Sequence, residues 1–288
     1  MINNQHDVYR LSIRDFITNA LQEDVGNGDH TSLACIDPES KGKAVVMMKE
    51  DGIVAGLVLA DHIFNQVDSS IIVKVCVNEG STVKKSDIVI QVDGSIRSIL
   101  TAERLVLNCM QRMSGVATYT SSLVKIISGT NAKIMDTRKT TPNFRLFEKW
   151  AVLSGGGYNH RFGLYDMILI KDNHLHACGG IANAIKKANE YIAGFKIKLF
   201  IEIEVKTIEE VREVLSIGKV QRIMMDNFSP EDLRRAVALI DHQFETEASG
   251  GITEENILDF AASGVDFISV GALTHSYKSL DINLKIIS

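Results

Sequence analysis

The chain is poor in the features that hold small secreted or membrane proteins together. Its four cysteines, Cys35, Cys76, Cys109 and Cys178, lie far apart and form no Cys-x-x-Cys pair. That spacing argues against a disulfide framework and a zinc site, and it favours a reducing cytoplasm. Long apolar runs are missing too: MILI, at 167–170, has strand length and falls far short of the roughly 20 residues of a membrane span. The opening MINNQHDVYRL has no basic flank followed by an apolar core, so no secretory leader is expected. There is no excess of positive charge. A net charge of −5 gives no general attraction to nucleic acid or membrane surfaces, so an anionic ligand must be held by a local cationic cluster. Finally, no Gly-x-Gly-x-x-Gly follows a strand-like run, which weakens a dinucleotide-binding, doubly wound sheet.

What is present is ample core material. With 288 residues, 45% of them hydrophobic, the chain suits one large α/β domain with an appendage, or two domains. Ser12 and Asp15 form a capping-box-like pattern, and Ile13, Phe16, Ile17, Ala20 and Leu21 share a helical face, predicting a helix over 12–24. Strand-like pieces at 43–49, 71–77 and 88–92 surround a helical pattern near 57–66. The stretch VNEGSTVKKSDIVIQVDGSI has the hairpin spacing of a lipoyl or biotinyl carrier. A carrier needs lysine at the hairpin tip, and that place reads Asp93-Gly94-Ser95, so the stretch is read as a structural β-sandwich element.

A helical pattern over 98–127 leads to a second regime. The short apolar runs KIMD, MILI, LFIEIEV, RIMM, FETEAS and FISVG alternate with helical stretches such as 179–192, 207–217 and 230–241. The last of these has Ser229 as N-cap and Pro230 at its first position. Repeated β-then-α with buried strands implies a parallel sheet. About six such units suggest a closed or partly open α/β barrel, with a doubly wound sheet as the alternative.

Polar residues collect where these runs end. Asp136-Thr137-Arg138-Lys139-Thr140 follows KIM, Lys171-Asp172-Asn173-His174 follows MILI, and Asp226 follows RIMM. Glu204 is near the end of LFIEIEV, Ser249-Gly250-Gly251 follows FETEA, and Gly271 follows FISV. In an α/β barrel the carboxyl ends of the strands form the active-site face. Gly250 and Gly251 allow close backbone approach, and Thr253 could cap the next helix, so that backbone N–H groups face an anion. Residues 271–275, ending in His275, could add a second loop to a phosphate cradle. Two carboxylates, Glu204 and Asp226, in a phosphate-binding pocket suggest Mg²⁺. They could instead pair with Lys139 or Lys171, and Glu202 shares the strand face of Glu204 by period two. Three glycines at 155–157 precede His160-Arg161. With Arg138, Lys139 and Lys171 these make a cationic pocket in an acidic protein, suited to a small, multiply anionic substrate.

The run DTRKTTPNFRLFEKWAVLSGGGYNHRFGLYDMILIKDNH resembles the signature of type II quinolinate phosphoribosyltransferases. EDVGNGDHTS, ERLVLNCMQRMSGVAT, EIEV, MMDNFSPE, EASGGI and SVGALTHS are similar to that family as well, in the expected order along nearly the whole chain. One departure is Asn143, where the family usually has glycine. The resemblance implies an N-terminal α/β sandwich domain (1–112, with the tail 276–288 returning to it) and an open, TIM-like α/β barrel (113–275). It implies a homodimer with shared active sites and Mg²⁺ as cofactor. The activity implied is conversion of quinolinate and phosphoribosyl pyrophosphate to nicotinate mononucleotide, pyrophosphate and CO₂. Carried over, quinolinate contacts fall on Arg138, His160, Arg161 and Arg104, the last donated by the other subunit. Lys139 and Lys171 lie between quinolinate and pyrophosphate, Glu204 and Asp226 near the metal and ribose. Ser249, Gly250, Gly251, Gly271 and His275 fall on the phosphate cradle. A homologue of this fold associated with molybdenum transport, and a non-catalytic phosphate-sugar binding protein, remain as other readings.

Overall fold

Residues 3–194 and 199–287 are described by a computed structural model. They divide into one unit of Met1–Tyr119, Pro142–Gly155 and Tyr277–Ser288, and a second of Thr120–Thr141 and Gly156–Ser276.

The first unit is built on a four-stranded antiparallel sheet in the order β12-β1-β5-β3, with β12 at Ile282–Ile287, β1 at Lys41–Met48, β5 at Ile88–Ser95 and β3 at Ile72–Val75. The C-terminal strand thus runs beside the first, from Met48↔Ile282 to Lys43↔Ile287. A two-stranded ladder joins β2 (Gly52–Ile53) and β4 (Thr82–Val83). The helices are α1 (Asn3–Val25), α2 (His30–Cys35), α3 (Leu57–Val67), the first turns of α4 (Ile96–Ile126), and α5 (Arg145–Ser154). Helix α3 buries Leu57, Leu59, Ala60, Ile63 and Phe64. Its N-cap is Gly56 at φ 93°, which has no side chain to cap with. Half-buried Glu79 substitutes, taking the N–H groups of Gly56 and Leu57.

Two expectations are corrected here. The first helix begins at Asn3, not near Ser12. The backbone upstream of Ser12 is itself helical, so there are no orphan N–H groups for Ser12 to cap. Nor do Asp93-Gly94-Ser95 form a hairpin tip. They continue β5 opposite Lys43, Gly42 and Lys41, and α4 starts at the next residue.

The second unit holds a six-stranded parallel sheet in the order β6-β11-β10-β9-β8-β7. The strands are β6 (Lys133–Met135), β7 (Met167–Ile170), β8 (Phe200–Val205), β9 (Arg222–Asp226), β10 (Glu245–Ser249) and β11 (Phe267–Ser269). Between them run α6 (Asp172–Cys178), α7 (Ile181–Ala193), α8 (Ile208–Ile217), α9 (Pro230–Ile240) and α10 (Ile257–Ala261), and α11 (Ala272–His275) follows β11. From β7 to β11 every strand pairs with its neighbour in sequence, and the first strand pairs with the last. Only β6 and β7 lack a ladder between them among the described residues. A doubly wound sheet would place its first strand inside the order. The observed order is that of an α/β barrel open at one seam.

Ser229 caps α9 through the Asp232 N–H, with Pro230 at the first turn, as the sequence predicts. Thr253 is not a cap. Helix α10 begins at Ile257 behind Asn256, whose side chain instead receives the Thr253 N–H. Thr253 meets the helix through its carbonyl, which accepts the Ile257 N–H at 3.0 Å, and not through a side-chain cap.

Candidate active site

Alternate residues of the parallel strands face one way, and this period builds the site in two rows. Leu169, Met224, Glu247 and Ser269 form a deeper row, and Lys171, Glu204, Asp226, Ser249 and Gly271 lie beyond them at the strand ends. Together with the β6 and 156–161 loops they line a cavity of about 800 Å³. Every site residue expected from the sequence lines it except Arg104, which is exposed on α4 in the first unit.

The cationic end is made by Arg138 and Arg161. The Nε of each is buried and has no hydrogen-bond partner. Arg161 holds the Met167 carbonyl through Nη1 at 3.3 Å. Burial, and then the Arg138 charge, lower the Arg161 pKa. Two crowded guanidinium groups with orphaned donors form an anion site that the protein itself leaves unneutralised.

His160 lies between these arginines and a buried acidic pair. Its backbone N–H donates to Asp136 Oδ1 at 2.9 Å, which ties the β6 end to the glycine loop. Its ring Nδ1 accepts the Arg161 N–H at 2.7 Å. An Nδ1 that accepts carries no proton, so the proton is on Nε2. That nitrogen lies 3.0 Å from Glu202 Oε2 and 3.5 Å from Glu247 Oε2. Both acids are fully buried, and burial is the main cause raising the pKa of each. Arg222 reaches Glu247 at 3.0 Å and Glu245 at 2.8 Å, with its guanidinium stacked over Phe267.

At the opposite end, Lys171 Nζ is 2.6 Å from Glu204 Oε2. Asp226 is half-buried. Burial first, then the Glu204 charge, raise its pKa, against lowering by Lys171, Asn227 and Lys206. Lys206 itself holds Asp172 at 2.6 Å. Two neighbouring carboxylates, one raising the proton affinity of the other, beside open pocket volume suit a hard divalent cation with few protein ligands. The period-two ambiguity between Glu202 and Glu204 resolves by depth: Glu202 is committed to His160, while Glu204 faces the cavity. His160, Glu202 and Glu247 are also close enough to hold an ion. Arg222 already donates to Glu247 there at 3.0 Å, and its positive charge makes the trio a poor metal centre.

The third end is backbone. Gly250 has φ 91° and Gly251 φ 64°, and a Cβ at Gly250 would collide with the Asn227 side chain. A Cβ at Gly271 would lie 2.9 Å from Lys139 Cδ and 3.1 Å from His275 Nε2. Thr274 Oγ1 donates to the Lys139 carbonyl at 2.8 Å. Sequence reasoning overlooked Asn227 and Glu247 as site residues. Asn227, at φ 58°, bonds Asp226 Oδ2 through its side chain and the Ser249 carbonyl through its N–H. An asparagine directly after a strand-end aspartate was the available signal.

Comparison with known proteins places this geometry. The model of the quinolinate phosphoribosyl transferase N-terminal domain matches residues 29–114, and that of the C-terminal domain matches 116–285. The chain is 47% identical over 296 residues to a quinolinate phosphoribosyltransferase [decarboxylating] of Nicotiana glauca, covering 98% of this chain and 83% of that one. It is 42% identical over 276 residues to a probable nicotinate-nucleotide pyrophosphorylase [carboxylating] of Bacillus subtilis, covering 96% and 94%. Among solved structures, NadC from Streptococcus pyogenes superposes with a TM-score of 0.90 at 39% identity, covering 96% of this chain and 98% of that one.

Proposed function

The chain belongs to the quinolinate phosphoribosyltransferase family, and we propose that the cavity of its parallel-sheet unit carries the family's reaction with a fixed division of labour. The enzyme is a decarboxylating pentosyltransferase of pyridine nucleotide biosynthesis. Quinolinate, a dicarboxylate, sits at the Arg138–Arg161 end, above His160. The observation that carries this assignment is the pair of buried guanidinium Nε atoms without partners. Phosphoribosyl pyrophosphate lies across the rest, its 5-phosphate on the Ser249, Gly250, Gly251, Gly271 and His275 loops. Its pyrophosphate lies near Lys139 and Lys171.

In this arrangement the pyridine nitrogen attacks the ribose anomeric carbon as the C–O bond to pyrophosphate breaks. Lys139 and Lys171 supply positive charge to the leaving group, and Glu204 and Asp226 face the sugar, where positive charge develops. Glu204 and Asp226 are also the residues that would hold Mg²⁺, which neutralises pyrophosphate oxygens when bound. Lys171 would then exchange its ion pair with Glu204 for phosphate. N-ribosylation makes the ring a pyridinium, and the electron pair of the breaking C–CO₂ bond is drawn into it, to be quenched by a proton. Positioning two anionic substrates that repel each other in solution is the protein's main contribution.

The same reading makes the protein a homodimer whose sites are completed by Arg104 of the partner subunit, which accounts for an exposed arginine outside the cavity. It also places the protein in the cytoplasm. The four cysteines are free, and among the described residues no helix is long and apolar enough to cross a membrane. The deciding experiment supplies purified protein with both substrates and Mg²⁺, and measures CO₂ and nicotinate mononucleotide together. Their release in equal amounts is expected. Binding of phosphoribosyl pyrophosphate without CO₂ release would favour a non-catalytic binding protein.

A further inference from the structure

The buried acids beneath the cavity have no part in the chemistry above, yet they sit directly under the residues that would hold the dicarboxylate. Glu247 is the central member. It lies on β10 in register with Met224, takes Arg222 Nη1 at 3.0 Å and stands 3.5 Å from His160 Nε2. His160 in turn fixes the next residue, because its Nδ1 accepts the Arg161 N–H. We propose that Glu247 is a positioning residue for acceptor recognition, acting with Glu202 through the His160 ring to set the Arg161 backbone and thereby its guanidinium.

His160 Nδ1 accepts the Arg161 N–H, and Nε2 faces the two acids at 3.0 Å and 3.5 Å. The acids and the Arg161 backbone thus bracket the ring, which lines the cavity beside Arg138 and Arg161. Arg222 donates to Oε2 of Glu247, the same oxygen that faces His160, and is itself fixed by Glu245 and by stacking on Phe267. The order is thus a chain from Glu245 through Arg222, Glu247 and His160 to Arg161. A side chain held on both sides loses little entropy when substrate binds, which is the value of such support beneath a binding group.

The inference rests on the assignment of the arginine end to quinolinate, and the test separates the two. Glu247→Leu removes the acceptor for Arg222 and the group facing His160 at similar volume. The expected result is a rise of about tenfold or more in KM for quinolinate, the size of losing one well-placed polar partner. KM for phosphoribosyl pyrophosphate should stay within about twofold, and kcat should change less than KM for quinolinate does. Glu247→Gln, which keeps an oxygen acceptor for Arg222, should recover most of the loss. If Glu247→Leu does not fold, Glu247→Asp withdraws the carboxylate by one methylene and should show the same split with a smaller factor. Nitrogen-15 spectra of labelled histidine give a readout without turnover: His160, identified by its loss in His160→Ala, should show the Nε2–H tautomer in the native protein. In Glu247→Leu it should move toward a tautomer mixture. Equal rises in both KM values, or an unchanged His160 signal, would overturn the positioning role. If the native enzyme instead releases no CO₂ from quinolinate, the pocket assignment fails, and the histidine spectra still decide whether Glu247 fixes the ring.

Discussion

Lys171 and Glu204 form a 2.6 Å ion pair at the strand-end row of the cavity, and Asp226 lies close enough for the Glu204 charge to raise its pKa. One cation between two carboxylates leaves the cluster with an excess negative charge, and a pyrophosphate group bound there would compete for Lys171. A divalent ion would resolve both conflicts at once.

Activity should accordingly require a divalent cation. Exhaustive chelation should abolish turnover, and Mg²⁺ should restore it. Asp226→Ala should lower kcat more than it weakens quinolinate binding. The pH profile carries the same information. Asp226 is raised above its ordinary 3.8 by burial and by Glu204, so the ionised form that binds metal is lost as pH falls through that raised value. The acidic limb of kcat/KM for phosphoribosyl pyrophosphate should lie above the ordinary aspartate position, and Asp226→Asn should remove it. Full activity after chelation would refute the metal site.

Quinolinate should be strongly preferred to nicotinate as acceptor. Arg138 and Arg161 have buried orphan donors, and an acceptor with one carboxylate leaves one of them unmatched. Leaving such a charged group without its partner costs about 2–5 kcal/mol, roughly thirtyfold or more in kcat/KM. Competition assays with the two acids measure the ratio directly. Similar efficiencies would mean that the arginine end does not receive the dicarboxylate.

Gly250→Ala should impair the phosphate end twice over. At φ 91° an alanine is strained, typically by about 1–3 kcal/mol, and its methyl would push Asn227 away from Asp226. The expected outcome is a lower unfolding midpoint in urea together with a raised KM for phosphoribosyl pyrophosphate. A raised quinolinate KM alone would place the effect at the wrong end.

The buried acids predict a stability loss as pH rises from the acidic range toward about 8. Burial and the neighbouring Glu202 charge push Glu247 up to about 8, against 4.5 ordinarily. A carboxyl whose pKa is higher in the folded state contributes stability that is complete below about 4.5 and is lost as pH rises through about 8. The thermal midpoint should therefore decline between about pH 4.5 and pH 8, and Glu247→Gln should flatten that decline. A native profile flat across this window would show that the acids are fully compensated by Arg222 and His160.

Much of this architecture is visible in the sequence because its signals are local and repeat. Strand-length apolar runs ending in Arg138, Lys171, Glu204, Asp226 or Gly250 carry their own period and their own termination, and six repeats reinforce one another. Ser229-Pro230 works as a cap for the same reason. Ser12 and Thr253 show where a local signal fails. A serine can precede an apolar helical face while the helix already runs upstream, and a threonine after two glycines can meet its helix through the backbone carbonyl with no side-chain cap. Glu247 was hidden for a different reason. In FETEAS it reads as one polar residue in a short strand, and its meaning comes from Arg222 on β9 and His160 on a distant loop. Only the strand order β10-β9-β8 brings Glu247, Arg222 and Glu202 into one buried group.

Arg104 separates a shared site from a self-contained one. It is exposed on α4, between Glu103 and buried Leu105. An exposed arginine of this kind ordinarily contributes little to stability, so Arg104→Ala should leave the unfolding midpoint nearly unchanged. If the partner subunit's Arg104 completes each cavity, Arg104→Ala homodimers and Lys139→Ala homodimers should both be nearly inactive. A mixed dimer has one site lacking both groups and one site lacking neither. With random pairing, half of the dimers are mixed and each has one working site of two, so co-refolding the inactive variants should restore up to about a quarter of native activity. Subunit exchange can be followed in parallel with differently tagged chains. A mixture that demonstrably exchanges and remains inactive would show that Arg104 acts within its own chain, or not at all.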